Sequence, residues 1–425
     1  MADVLAFVLA GGRVDELSVL TLDRPKSALP FAGNFRVIDF ALSNLMHARI
    51  RRVGILSQYR SASLINHIGN GSSWDMAGRR GQMVLLPPST GQKGSDWYRG
   101  TADAVARNLD FIYENNPDLV LILSGDHIYR MDYREMIRFH GEHKAEVTAA
   151  FIRVPTEEAH RFGLGMIEAK KGAPGGRLIG YEEKPSRPRS HWASLTIYLF
   201  NTQLLIDLLK KNRAGQEAVE FGRDIFPDLV RRHRAYGFLF DGYWGYTRTL
   251  DEYWQTHMDL FDPAVGIDLK GWQIRTNLSH ERIQERQPAL IGPGAEVEEV
   301  LLTQGCRVEG RVKRSVLFPG VQIEEGAVVE DSILFYDTVV EAGARVRKTI
   351  TDNGVRIGEG ARVNTDEDIR PNRLFPHLLF SGLTLIGRQT HLPPAIQVGG
   401  NCILYPHLDE KMFDHKKIPT GATVS

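Results

Sequence analysis

Five strings in this chain carry residue types that work on phosphate. LAFVLAGGR (5–13) runs an apolar stretch into Gly11, Gly12 and the cation Arg13. Glycine after a strand lets backbone N–H groups approach a phosphate oxygen that a Cβ would hold off. RPKSALPFAGNFRVIDFALSN (24–44) follows, so Arg13 and Lys26 flank the first loop with positive charge. WYRGTADAV (97–105), SGDHIYRMDY (124–133) and EEKPSRP (182–188) come next. Each string alone has a plainer reading. A Gly-Gly pair serves any strand-to-helix turn, Asp126 also reads as a turn residue, and Lys184 as a solvated charge.

In this order the strings resemble the ADP-glucose pyrophosphorylases, the glucose-1-phosphate adenylyltransferases of glycogen and starch synthesis, over nearly the whole chain. The wider sugar nucleotidyltransferases share only the Gly-Gly loop, the Gly-Asp strand end and the EKP lysine. Tyr98 and SQYRS (57–61) favour the ADP-glucose branch. The resemblance implies that the phosphate of glucose 1-phosphate attacks the α-phosphorus of ATP and releases pyrophosphate. Such a reaction is carried by positioning and by neutralising charge with Mg²⁺, arginine and lysine. It implies Asp126 as the metal carboxylate, and Arg13, Lys26 and Asp126 as the catalytic set. It implies Lys184 on the sugar phosphate, Glu183 on the sugar hydroxyls, Gly163, Ser194 and Tyr98 on the substrate side, and Gly11 and Gly12 in the nucleotide loop. It further implies a cytoplasmic tetramer under allosteric control.

The chain departs from that family pattern at the chemistry. The family loop Gly-Gly-Arg-Gly-[Ser/Thr]-Arg-Leu reads GGRVDEL here, so Val14, Asp15 and Glu16 replace a glycine, a hydroxyl residue and an arginine. Two anions beside a triphosphate are repulsive, and Val14 removes a glycine that permits close backbone approach. In YWGYTRTLDEYW (243–254), Tyr246 stands where the family has its second metal aspartate, and Arg248 where it has glycine. A phenol is a poor substitute for a carboxylate on Mg²⁺. Thr196 in SLTIYLF replaces another family glycine. The expectation is a weakly active or regulatory subunit, binding ATP and glucose 1-phosphate or a sugar-phosphate effector. It would sit in a homo- or hetero-tetramer with a catalytic paralogue. The alternative is a competent adenylyltransferase with altered nucleotide-loop contacts.

The elements that must position these residues follow from periodicity. LAFVLAGG, RVGILSQ, LVLILSGD and AEVTAAFIRV read as strands, and ALSNLMHARI and ADAVARNLDFIYENN as helices. That alternation predicts a Rossmann-like α/β domain over 1–255, with ligands at the carboxyl ends of its strands, and the resemblance implies that this is a nucleotidyltransferase domain. A connecting helix and linker covers 256–287. Over 288–425 the chain repeats: 311–327, 328–344 and 345–361 align without gaps at a period of 17. Val316, Ile333 and Ile350 recur in register, and Gly326, Gly343 and Gly360 mark corners. This period predicts a left-handed parallel β-helix, broken near 366–380 and without clear pattern after 406. Lysine plus arginine equals aspartate plus glutamate at 52 each, which argues against a nucleic-acid binder. Two cysteines among 425 residues exclude a disulfide scaffold, and no apolar run approaches membrane-spanning length.

Overall fold

The apolar runs assemble as one sheet. In the computed structural model, which describes residues 2–12, 14–78, 81–88, 97–212, 219–279, 283–413 and 416–425, the strands are β1 (Val4–Leu9), β2 (Arg52–Leu56), β3 (Gln82–Leu86), β4 (Leu119–Ser124), β5 (Val147–Arg153), β6 (Gly163–Ala169), β7 (Gly175–Glu183), β8 (Trp192–Asn201) and β9 (Ala235–Phe240). Their order is β3-β2-β1-β4-β8-β5-β9-β7-β6. β1 to β4 run parallel, β8 is antiparallel to β4 and β5, and β7 is antiparallel to β9. Leu5, Phe7, Val120, Ile122, Phe151 and Phe200 lie fully inside, as near-continuous apolar strands require. The second expected helix is two, Thr101–Arg107 and Leu109–Asn115, because Asn108 leaves helical geometry at φ −114, ψ 30.

The chain divides into two compact units, Met1–Gly12 with Ile38–Ser61 and Ile68–Trp244, and Arg13–Val37 with Ala62–His67 and Gly245–Ser425. The second unit contains the left-handed β-helix. Its rungs pair in parallel, Val316 on Ile333 on Ile350 on Leu385 on Ile403. A second face stacks Val312, Val329, Val346, Val363, Val398 and Ile418, and a third stacks Val308, Ile323, Val340, Ile357 and Leu392. All are buried, each contributing about 1.5–3 kcal/mol of apolar burial.

The expected glycine corners hold φ of +71, +66 and +64 at Gly326, Gly343 and Gly360. A second corner uses Arg314, Asp331 and Lys348, also at positive φ. There Ser315, Ser332 and Thr349 donate to the carbonyls of Lys313, Glu330 and Arg347. Ser315 and Ser332 also accept from the next rung's Ser332 and Thr349 N–H groups. The interruption sits inside one turn of the coil. Asn364 closes it by donating to the carbonyls of Arg347, Lys348 and Gly382. The tail adds a further rung, Lys417–Ile418 on Gln397–Val398 and Thr423–Val424 on Ile403–Leu404. Two-residue strands leave too short a pattern to read without a repeat alongside. Cys306 and Cys402 are buried free thiols. No helix among the described residues is long and apolar enough to cross a membrane.

Candidate active site

β1 delivers Gly11 and Gly12 at its carboxyl end. A Cβ on Gly11 would lie 2.9 Å from the Gln58 backbone nitrogen, so this glycine is required by close packing. A Cβ on Gly12 would meet nothing within 4 Å, leaving its backbone open. Arg13 lies outside the described residues. β4 delivers Asp126 two residues past its end, with its side chain 28% exposed. Ser124 donates to Asp126 Oδ1, and His127 Nε2 stands 3.3 Å from the same oxygen. The segment is fixed from helix Ile38–His47, where Asn44 Nδ2 donates to the Tyr129 carbonyl and Asn44 Oδ1 accepts from Met131 N–H. Two of the strings singled out in the sequence thus interlock to place the carboxylate.

Gly163, Glu183 and Ser194 meet in one cluster, joined by two tyrosines. Glu183 pairs with Gly163 across β7 and β6. Tyr181 donates to Glu183 Oε2 at 3.0 Å, and Tyr198 shares a hydrogen bond with Ser194 at 3.2 Å. A Cβ on Gly163 would fall on the Tyr181 hydroxyl and one on Gly222 on Glu183 Oε2, so both glycines clear room for this carboxylate. Burial pushes the Glu183 carboxyl above its ordinary value, against the Tyr181 hydrogen bond and the charge of Lys184, which pull it down. Burial likewise pushes Tyr198 up to about 12. Lys184 turns out of the strand at φ 46, with its N–H on the Phe162 carbonyl. Thr196 is held at φ 54 where β8 shifts register against β5 between Ser194 and Tyr198. Tyr181, Tyr198 and Gly222 were not singled out in the sequence. Tyr181 could have been, being two residues before Glu183 on the same face of a strand.

Tyr98 makes its hydrogen bonds with other residues. Its hydroxyl donates to the Leu86 carbonyl and accepts from Asn108, and its backbone exchanges two hydrogen bonds with the Gln58 side chain. Burial raises its pKa. Gly100 in the same string lets the Val219 carbonyl come where a Cβ would be 2.5 Å away, and Thr101 hydrogen-bonds Glu220.

In the second unit Glu16 and Tyr246 meet at Arg248. Val14 is extended at φ −124, ψ 99, a conformation any residue adopts, so no glycine is needed there. Asp15 and Glu16 open the 3₁₀ segment Asp15–Thr21, with Asp15 exposed. Arg248 Nε and Nη2 reach Glu16 Oε1 at 3.2 and 3.1 Å, and Nη1 lies 3.4 Å from the Tyr246 hydroxyl. Burial opposes the Arg248 charge, yet Tyr246 and Glu16 keep its pKa above the ordinary arginine value. The negative charge of Glu16 is therefore offset within the chain. Lys26 is buried, with Nζ 5.3 Å from the centre of the Tyr246 ring. Arg24, two residues before it, is locked in a buried ion pair with Asp352.

Among the described residues no group of three or more His, Cys, Asp or Glu side chains could hold a metal ion. Mg²⁺ needs no such cage, because one or two carboxylates, substrate phosphates and water complete its shell. Asp126, with one oxygen steadied by Ser124, fits that role for an ion that arrives with a nucleotide.

The nucleotidyl transferase family model matches residues 5–262, and the GlmU-like C-terminal hexapeptide model matches residues 292–386. The glucose-1-phosphate adenylyltransferase of Thermomicrobium roseum is 44% identical across the whole chain and 98% of its own length. Those of Acetivibrio thermocellus and Thermotoga neapolitana are 36% and 38% identical, each over 99% of this chain and 97% and 98% of their own. Likeness of this degree, running through both the sheet and the coil, shows that the chain belongs to the glucose-1-phosphate adenylyltransferase family.

Proposed function

We propose that the chain is a subunit of an ADP-glucose-forming assembly that holds sugar phosphate well and converts it slowly. Gly163, Glu183 and Ser194 form the floor for the sugar, and Lys184 takes its phosphate. Asp126 holds Mg²⁺, which supplies positive charge on phosphate oxygens when bound. Lys26 and Arg13 neutralise the nucleotide.

Tyr246 carries the reading. Its hydroxyl is engaged by Arg248 and its ring by Lys26, and a phenol stands where the family pattern has a carboxylate. A phenol gives a hard cation no charge at neutral pH. Losing one preorganised electrostatic contact costs about 100- to 1,000-fold in rate. The Glu16–Arg248 pair favours a second reading, a competent adenylyltransferase with altered loop contacts, because it removes the other expected loss.

The test is pyrophosphate release with ATP, Mg²⁺ and glucose 1-phosphate, for the purified chain alone and mixed with a family member carrying both family loops. The subunit reading expects slow turnover alone and a rate in the mixture that differs from the sum of the parts. Ordinary turnover alone, abolished by Asp126→Ala, establishes the second reading instead.

A further inference from the structure

Two features of the second unit converge on Arg248. The first is its grip on Glu16. Nε and Nη2 close on one carboxylate oxygen, a fork that a guanidinium offers equally to phosphate. Nη1 reaches the Tyr246 hydroxyl, whose ring lies against Lys26. The guanidinium thus holds an oxyanion that belongs to the chain itself, with the Tyr246 hydroxyl on its other arm. The pair is open to exchange, with side chains 41% and 35% exposed.

The second feature is the backbone carrying Glu16. Within Asp15–Thr21, Ser18 sits at φ 48, ψ −128, a region that L-residues avoid. Strain of this kind persists only where neighbours over-determine it, and it gathers at ligand clamps and switches. The backbone carrying Arg248 is by contrast secure. Its N–H donates to Glu252 Oε2 at 3.1 Å, and Thr249 with Glu252 forms a capping box on helix Leu250–Met258. Exchange at the pair therefore needs only a side-chain movement at residue 248.

We propose that Arg248 is a further polyphosphate-binding cation of this chain, resting on Glu16 until the phosphates of a nucleoside triphosphate, or pyrophosphate, displace that carboxylate. The proposal rests on the reading of the chain as a nucleotide-binding transferase. A polyphosphate carries several negative charges where Glu16 carries one, so it competes for the guanidinium with the advantage. Glu16 acts as an internal competitor that lowers the apparent affinity.

The experiment is calorimetric titration of the full chain with ATP and, separately, with inorganic pyrophosphate, both with Mg²⁺, for wild type, Arg248→Gln and Glu16→Gln. The two substitutions should act in opposite directions. Arg248→Gln should weaken both ligands about tenfold or more, and Glu16→Gln should tighten both about threefold or more. Tightening by both variants would make the pair a latch across the site and overturn the proposal. So would no change in either, or no binding of either ligand to the wild type. Should Arg248→Gln fail to fold by circular dichroism, Glu16→Gln decides alone, since weakened or unchanged affinity there overturns the assignment. Pyrophosphate release, measured separately, keeps the two readings apart. Fast wild-type turnover with the expected affinity changes sinks only the slow-subunit reading, and slow turnover with unchanged affinities sinks only this one.

Discussion

Thr196 shows how a single residue can carry a local conflict. A β-branched side chain at φ 54 is strained in the left-handed region, and it is held there by the register shift in β8 and by its own N–H on Ser194 Oγ. Thr196→Gly removes the Cβ contact and should stabilise the protein by about 0.5–1 kcal/mol despite the entropy glycine adds to the unfolded chain. Calorimetry reads this as a raised unfolding midpoint, and a lowered midpoint contradicts the account of strain. At this scale the sequence was legible where partners are near in the chain. Glu183 and Lys184 stand in one quoted string, Gly163 was expected from the resemblance, and Tyr181 lies two residues from Glu183. The Glu16–Arg248 pair was not legible, because its members stand 232 positions apart. Each residue by itself looked like the loss of a contact, and only coordinates show that each answers the other.

The β-helix shows the same division among elements. Its ladders and glycine corners were readable because hydrophobic burial and positive φ repeat every 17 residues. The corner at Arg314, Asp331 and Lys348 was not, since none is glycine. Its left-handed turn is supported by the Ser315–Ser332–Thr349 hydroxyl ladder rather than by freedom at the Cα. The insertion after Val363 is likewise held by polar side chains. Asn364 closes three backbone carbonyls, and Asn401 Oδ1 accepts the Gly382 N–H. Asn364→Ala takes a donor from each of those carbonyls, although Arg347 keeps the Thr349 hydroxyl and Lys348 the Thr384 N–H. At about 0.5–1.5 kcal/mol per hydrogen bond it should destabilise the coil by about 2–3 kcal/mol. Scanning calorimetry should show a clearly lower midpoint, and a change within error means that water replaces the asparagine without loss. The split at Asn108 belongs here too, because helical spacing continues through it in sequence while the backbone does not.

For the whole molecule, assembly and turnover are the open quantities. The first rung of the coil exposes Leu290 and Ile291 at 57% and 51%, with Val297 close behind in sequence. An uncovered end of this kind favours association. Light scattering at micromolar concentration should give about four times the 47.8 kDa chain mass, and a stable monomer would refute the tetramer. On the proposed reading, residues of the two altered loops slow this family member while its sugar-phosphate cluster still binds. The measurement that meets it most directly is steady-state pyrophosphate release by the isolated chain beside a variant carrying Val14→Gly, Asp15→Thr, Glu16→Arg, Gly245→Arg, Tyr246→Asp, Thr247→Val and Arg248→Gly. A slow wild type and a variant faster by about 100-fold or more are expected. A wild type already turning over at about 1–1,000 per second, unimproved by the substitutions, would contradict it.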